Sequence, residues 1–156
     1  MLGRTRNKRQ LEIFEVPIAR FINLKHELVI GADQIDWESL EDSFKDFYSD
    51  KGRRSIPPRK IIGMMLLKER FNLSDEKVLK IWPENPYWQY FCGEIHFQPD
   101  KPFSLSELTR FRRRIGEPGQ VIMKRINLKH FGNPDVKTYE TLNDRRKRSF
   151  WKKIIG

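Results

Sequence analysis

The feature that most constrains the fold is a helix with no polar face in the middle of the chain. The segment PRKIIGMMLLKERF, residues 58–71, has proline in the first helical turn, where a missing N–H is tolerated. Apolar side chains then occupy nearly every position from 61 to 67. A helix of this kind is normally the central one of a bundle. The sequence therefore predicts an all-α fold built around residues 58–71.

Capping residues and apolar periodicity predict further helices around the central one. Asp36 is a good N-cap for a segment with apolar residues at three- and four-residue steps. Ser74 caps a third helix, and Asn85 with Pro86 opens a short aromatic one, YWQYF. Residues 118–126 could form the last helix. Periodicity is weak over residues 1–30, where the segment LEIFEVPIARF, residues 11–21, is expected to be extended. No pair of alternating runs demands a sheet.

One helix in the segment FSLSELTRFRRRIGEPG, residues 103–119, has well-defined ends. Ser104 and Glu107 fit a capping box, in which each side chain satisfies a backbone N–H of the first turn. Gly116 can adopt the positive φ that ends a helix, and Pro118 discourages continuation. We therefore expect a rigid helix of about three turns over residues 104–115.

This helix has one apolar and one basic side. At about 100° per residue, Leu108, Phe111 and Ile115 share one side. The candidate ligand-binding residues are Ser106, Arg110, Arg113 and Arg114 on the opposite side, and Arg112 beside the apolar stripe. Guanidinium groups bind phosphate bidentately and can read guanine in a DNA major groove. The alternative is that this side is ordinary solvated surface.

Composition indicates a polyanionic partner. The chain has 31 basic and 21 acidic residues, a net charge of +10 and a pI near 9.9, which favours nucleic acid or an anionic membrane. The longest apolar stretch, IIGMMLL, is too short to span a bilayer, and no signal peptide is recognisable. A single cysteine fits a reducing compartment. We expect a soluble, cytoplasmic protein without a membrane partner.

No cofactor or metal is expected. Cys92 and His96 have the spacing of metal ligands, but Gly93 breaks the helix between them and few further ligands are available for a closed zinc site. No glycine-rich phosphate loop occurs. The aromatic residues of YWQYF could stack on unpaired bases, but their helical spacing favours a place in the core.

The middle of the chain resembles the N-terminal domain of bacterial transposases of the insertion-sequence-five family. The matching pieces are the proline-started apolar helix, the LSDE turn, ENPYWQYFCG and SLSELTRFRRRIGE, with HELV…IDWESLEDSF…GRRSIPPRK upstream. The resemblance covers about residues 1–122. It implies a helical DNA-binding domain for the element's terminal repeats, followed in the family by a catalytic domain with three metal-binding carboxylates.

The chain departs from this pattern after about Val121. Asp135, Glu140 and Asp144 lie in no strand pattern, and about thirty residues cannot supply the sheet that a two-metal site requires. No catalytic residue can be assigned, so we expect no enzyme activity. We divide the chain into a DNA-binding domain, 1–126, and a basic, poorly ordered tail, 127–156, expected to arise from a frameshift or truncation.

These observations predict a truncated transposase that binds double-stranded DNA at the inverted-repeat ends of its parent element without cutting it. Residues 104–115 would enter the major groove in the manner of a helix-turn-helix protein. Two alternatives stay open. The fragment could inhibit full-length transposase by forming inactive complexes with it, or it could be a remnant without function. Self-association is a further possible interaction.

Overall fold

The structure is a computed structural model that describes residues 15–48 and 56–132. Within these ranges the chain forms six α-helices, three short 3-10 turns and no strand, which confirms the all-α prediction. The helices are α1 (Glu27–Gln34), α2 (Trp37–Phe44), α3 (Pro58–Arg70), α4 (Asp75–Ile81), α5 (Pro86–Phe91) and α6 (Leu105–Phe131). The 3-10 turns are Ile18–Arg20, Lys45–Phe47 and Trp82–Glu84.

Helix α3 is the centre of the fold, as its lack of a polar face predicts. Residues 61–67 are all buried, and the helix packs against α2, α4, α5 and α6. Burial of an apolar side chain contributes about 1.5–3 kcal/mol relative to exposure. This helix therefore supplies a large part of the apolar burial that holds the other helices in place.

Helix α1 was not predicted from the weakly periodic N-terminal sequence. Its N-cap is His26, whose Nδ1 accepts a hydrogen bond from the backbone N–H of Leu28 at 3.1 Å. It packs against α5 and α6, and it approaches α6 closely at Gly31. A Cβ atom at Gly31 would lie 2.4 Å from the ring of Phe131. Tertiary packing therefore determines this helix where sequence periodicity is weak.

Helix α6 consists of two segments that meet at Gly116. This glycine has φ 54° and ψ −157°, a backbone region that only glycine adopts readily. The arginine helix therefore ends at Gly116, as predicted, and we call residues 105–115 helix α6a. Pro118 lies in the first turn of the second segment, where proline is tolerated. We call this second segment, residues 117–131, helix α6b.

Helix α6b is longer than predicted. It reaches Phe131, whose ring lies 5.8 Å from the ring of Phe91 in the core. The expected division of the chain after residue 126 thus falls within a packed helix. Residues 133–156 lie outside the described part of the chain, and the prediction of a basic tail stays a prediction for them.

The arginine helix is not the second helix of a tight helix-turn-helix pair, because a short turn in this fold joins α3 to α4, not α5 to α6a. A four-residue turn, residues 71–74, joins α3 to α4 and contains Asn72 at φ 49°. Helix α6a follows α5 only after the longer connection 92–104. Helix α6 as a whole packs against α3 and α4, and Arg112 of α6a bonds Asp75 of α4. The arginine helix is therefore a third helix laid against the turn-joined pair.

The aromatic residues of α5 belong to the core, as their spacing favours. Trp88 and Phe91 are buried, and Tyr87 and Tyr90 are half-buried. The Tyr90 hydroxyl donates a hydrogen bond to Asp33 at 2.9 Å. These rings therefore have partners within the fold.

Candidate nucleic-acid interface

The N-terminus of α6a is fixed by the predicted capping box. The backbone N–H of Ser104 donates to the Glu107 carboxylate at 2.8 Å, and the N–H of Glu107 donates to the Ser104 hydroxyl at 3.4 Å. The exposed Ser106 hydroxyl lies 2.9 Å from the Ser104 hydroxyl and shares a hydrogen bond with it. The first turn is therefore ordered without any ligand, because the N–H groups of Ser104 and Glu107 both have side-chain acceptors.

The apolar side of α6a is seated in the core. Leu108, Phe111 and Ile115 are each 3% exposed or less. The ring of Phe111 lies 6.2 Å from that of Phe44 and 6.1 Å from that of Tyr48. The predicted division of the helix is confirmed, because Ser106, Arg110, Arg113 and Arg114 are all exposed. Since the buried side fixes the rotation of the helix, the exposed side has a defined direction.

Arg110 and Arg113 are the most available cations on the exposed side of α6a. They are three positions apart on one helix, which places their Cβ atoms about 5–6 Å apart. Both are exposed, and neither forms an ion pair with another residue in the described part of the chain. Two adjacent guanidinium groups without a carboxylate partner can each bind a phosphate oxygen.

Arg114 is oriented by an aromatic ring. Its guanidinium carbon lies 5.7 Å from the centre of the Tyr48 ring, within the range of a cation–π contact. Burial raises the pKa of Tyr48 to about 12, so the ring stays neutral at physiological pH. Arg114 is thus exposed, and its contact with the Tyr48 ring restricts the orientation of its guanidinium.

Arg112 occupies different surroundings from the other three arginines. Its guanidinium donates a hydrogen bond to the carboxylate of Asp75 at the start of α4. Lys68 of α3 lies 3.1 Å from the other oxygen of the same carboxylate. The Asp75 side chain is 18% exposed and that of Arg112 is 33% exposed. Arg112 therefore connects α6a to α3 and α4.

The ion pairs at Asp75 predict a loss of stability in acid. Burial acts to raise the pKa of Asp75, but the bonds from Arg112 and Lys68 outweigh it, so the pKa lies below its ordinary value. A depressed folded-state pKa contributes stability above the unfolded value of about 3.9, and this contribution disappears as pH falls through the folded-state pKa. The stability gap between the parent protein and Asp75→Asn should therefore narrow below about pH 4.

Urea titrations followed by circular dichroism across this pH range would measure the gap. Glu76→Gln is the matched control, because Glu76 is exposed and its replacement removes the same charge without touching the ion pairs. If Asp75→Asn lowers the free energy of unfolding by the same amount at pH 7 and well below pH 4, the stabilising role of the Asp75 ion pairs would be contradicted.

Helix α6b adds basic residues that the sequence analysis did not single out. Arg125 and Lys129 are exposed four positions apart, while Met123 and Asn127 are buried. The sequence signal for this basic side was the spacing of Arg125 and Lys129 relative to the buried positions. Lys129 fell in the predicted tail because the last helix was predicted to end at residue 126, and Arg125 within that helix was therefore not paired with it.

Cys92 and His96 lie in different environments, and neither belongs to a metal site in the part of the chain that the structure describes. Cys92 is buried, and burial raises the pKa of its thiol to about 12, whereas His96 is exposed. In residues 15–48 and 56–132, no group of three or more metal-ligating side chains could hold an ion. No helix in these same ranges is long and apolar enough to cross a membrane.

These features define the class of protein: a small helical domain that exposes a capped, arginine-rich helix. The family model of a transposase domain (DUF772) matches residues 16–114, from the first described turn to within α6a. The chain belongs to this transposase-domain family.

The chain is also similar to a protein from Rhizobium meliloti. The chain is 39% identical over 108 residues to the uncharacterised protein ORF8 in the nfe locus of Rhizobium meliloti. The aligned region covers 69% of this chain and 52% of that protein, so the chain spans about half the length of the relative. No solved structure matches.

Proposed function

We propose that this transposase-domain protein binds double-stranded DNA through the exposed side of α6a. Its target would be the inverted-repeat ends of a parent element of the insertion-sequence-five type, and its role would lie in DNA transposition. The observation that carries the proposal is the set of three exposed guanidinium groups, Arg110, Arg113 and Arg114, on a helix whose other side is buried. We call these three residues the arginine face.

The geometry of α6a suits a duplex. The major groove of B-DNA admits one α-helix, and the capped start of α6a is ordered before any ligand arrives. Because Leu108, Phe111 and Ile115 fix its rotation, little ordering entropy opposes binding. Arginine can grip phosphate and read guanine with the same planar group. The Ser106 hydroxyl, which shares a hydrogen bond with the Ser104 hydroxyl, lies at the helix N-terminus, where a phosphate is favoured.

The proposal concerns binding alone. The family match is confined to residues 16–114, and this part of the chain contains the whole arginine face. Phosphate contacts by the arginines would fix the register of the helix, and base contacts would supply the preference for one sequence.

Fluorescence anisotropy with short DNA duplexes tests the proposal. Duplexes tiled across the genomic DNA on both sides of the gene would be compared with scrambled duplexes of the same composition. We expect at least one flanking duplex to bind more tightly than its scrambled counterpart, and all binding to weaken as salt rises, because phosphate contacts release counterions. Binding that is absent at low salt, or that is insensitive to salt, would refute the proposal.

A further inference from the structure

The four arginines of α6a differ in what surrounds them. Arg110 and Arg113 are exposed without an ion-pair partner among the described residues, and Arg114 is exposed beside the Tyr48 ring. Arg112 is half-buried and its terminal nitrogen bonds Asp75, while its buried Nε has no hydrogen-bond partner within residues 15–48 and 56–132. The sequence presents four arginines within five positions, and among the described residues only Arg112 of these four has a carboxylate partner.

Asp75 joins three helices at one carboxylate. It is the first residue of α4, directly after the Ser74 cap, whose hydroxyl accepts from the Lys77 N–H at 3.3 Å. One oxygen receives Arg112 from α6a, and the other lies 3.1 Å from Lys68 of α3. Removing one partner from a partly buried ion pair leaves the other without compensation. Arg112 is therefore held at this carboxylate by more than a surface ion pair.

We infer that Asp75 is a positioning residue that withholds Arg112 from DNA and fixes how α6a is presented to the duplex. The inference rests on the proposed DNA contact of α6a. It reduces the phosphate-contacting arginines of this helix to Arg110, Arg113 and Arg114. Arg112 then serves to hold the helix against α3 and α4, and the number of phosphates that α6a neutralises is set by Asp75 as well as by the arginines.

The salt dependence of DNA binding by single variants tests this division. Each phosphate contact contributes about 0.9 to the slope of log affinity against log salt. Arg110→Gln should therefore flatten the slope by about 0.9, whereas Arg112→Gln should leave it unchanged. All variants would be measured on one duplex, at a temperature below the melting transition of each as determined by circular dichroism.

Releasing Arg112 provides the second arm. In Asp75→Asn the guanidinium loses its anionic partner, so it becomes available to a phosphate and the slope should steepen by about 0.9. The double variant Asp75→Asn/Arg112→Gln should return to the parent slope. Glu76→Gln removes the same charge from an exposed neighbour and should leave the slope unchanged. The comparison thus separates release of one arginine from a general gain in positive charge.

The outcomes distinguish this inference from the proposed function. If Arg110→Gln, Arg113→Gln and Arg114→Gln all leave the slope unchanged, the proposed DNA contact of α6a itself is wrong. If those variants flatten the slope and Arg112→Gln flattens it as well, only the withholding of Arg112 is overturned. The withholding of Arg112 is also overturned if the slope of Asp75→Asn is no steeper than that of Glu76→Gln. It is overturned as well if the slope of Asp75→Asn/Arg112→Gln stays steeper than that of the parent protein.

Discussion

The triple variant Arg110→Gln/Arg113→Gln/Arg114→Gln is expected to flatten the salt dependence of DNA binding by about 2.7 in log–log slope, because each lost phosphate contact removes about 0.9. If one of the three arginines reads a guanine instead, its single variant should lose about 1–3 kcal/mol of preference for the target over scrambled DNA. Anisotropy titrations at several salt concentrations, on target and scrambled duplexes, would measure both quantities.

Two controls distinguish loss of the arginine face from a general loss of charge or of stability. The variant Arg20→Gln/Lys25→Gln/Lys101→Gln removes the same charge from exposed positions outside α6 and should change the slope far less. Ser104→Ala breaks the capping box and should cost about 1 kcal/mol of stability while leaving sequence preference intact. A folded triple arginine variant that binds with the parent slope would show that this side of α6a is solvated surface and that DNA contacts lie elsewhere.

Phe91→Ala is expected to destabilise the fold by about 3–5 kcal/mol, the range for removing a buried phenylalanine. Phe91 is 0% exposed, and its ring lies 5.4 Å from that of Trp37 and 5.8 Å from that of Phe131. The substitution would leave a cavity where α5 meets α2 and α6b. Since domains are typically stable by about 5–15 kcal/mol, the loss should be evident as a large shift of the urea midpoint.

The same substitution at an exposed ring provides the reference. Phe21 is 46% exposed, so Phe21→Ala should destabilise much less than Phe91→Ala. Phe131→Ala should also be clearly destabilising, because its ring contacts Phe91 and lies over Gly31. If Phe131→Ala were neutral while Phe91→Ala was costly, the packing of the end of α6b against the core would be refuted.

Much of the fold could be read from local sequence signals. The apolar run of residues 61–67 predicted a central helix, and all seven positions are buried. Ser74, Asn85 and Ser104 were each expected to cap a helix, and each accepts a hydrogen bond from the following turn. These signals work because a cap or an apolar stripe depends on residues within a turn or two of each other.

The candidate site could be predicted only in part. Helical periodicity separated the buried from the exposed side of α6a correctly. It could not show that Arg112 bonds a carboxylate 37 residues away in sequence, or that Arg114 lies over Tyr48. Both contacts depend on which helices meet, and side-chain spacing along one helix carries no information about that.

The sequence by itself determined the helical class, the capped helix starts and the end of the arginine helix at Gly116, because backbone preference and hydrogen-bond satisfaction are local. Only the tertiary structure decided that a weakly periodic segment forms α1, that α6b continues to Phe131, and that Arg112 pairs with Asp75. These features depend on burial and charge pairing between distant segments, and such free energies are gained only when the chain brings those segments together.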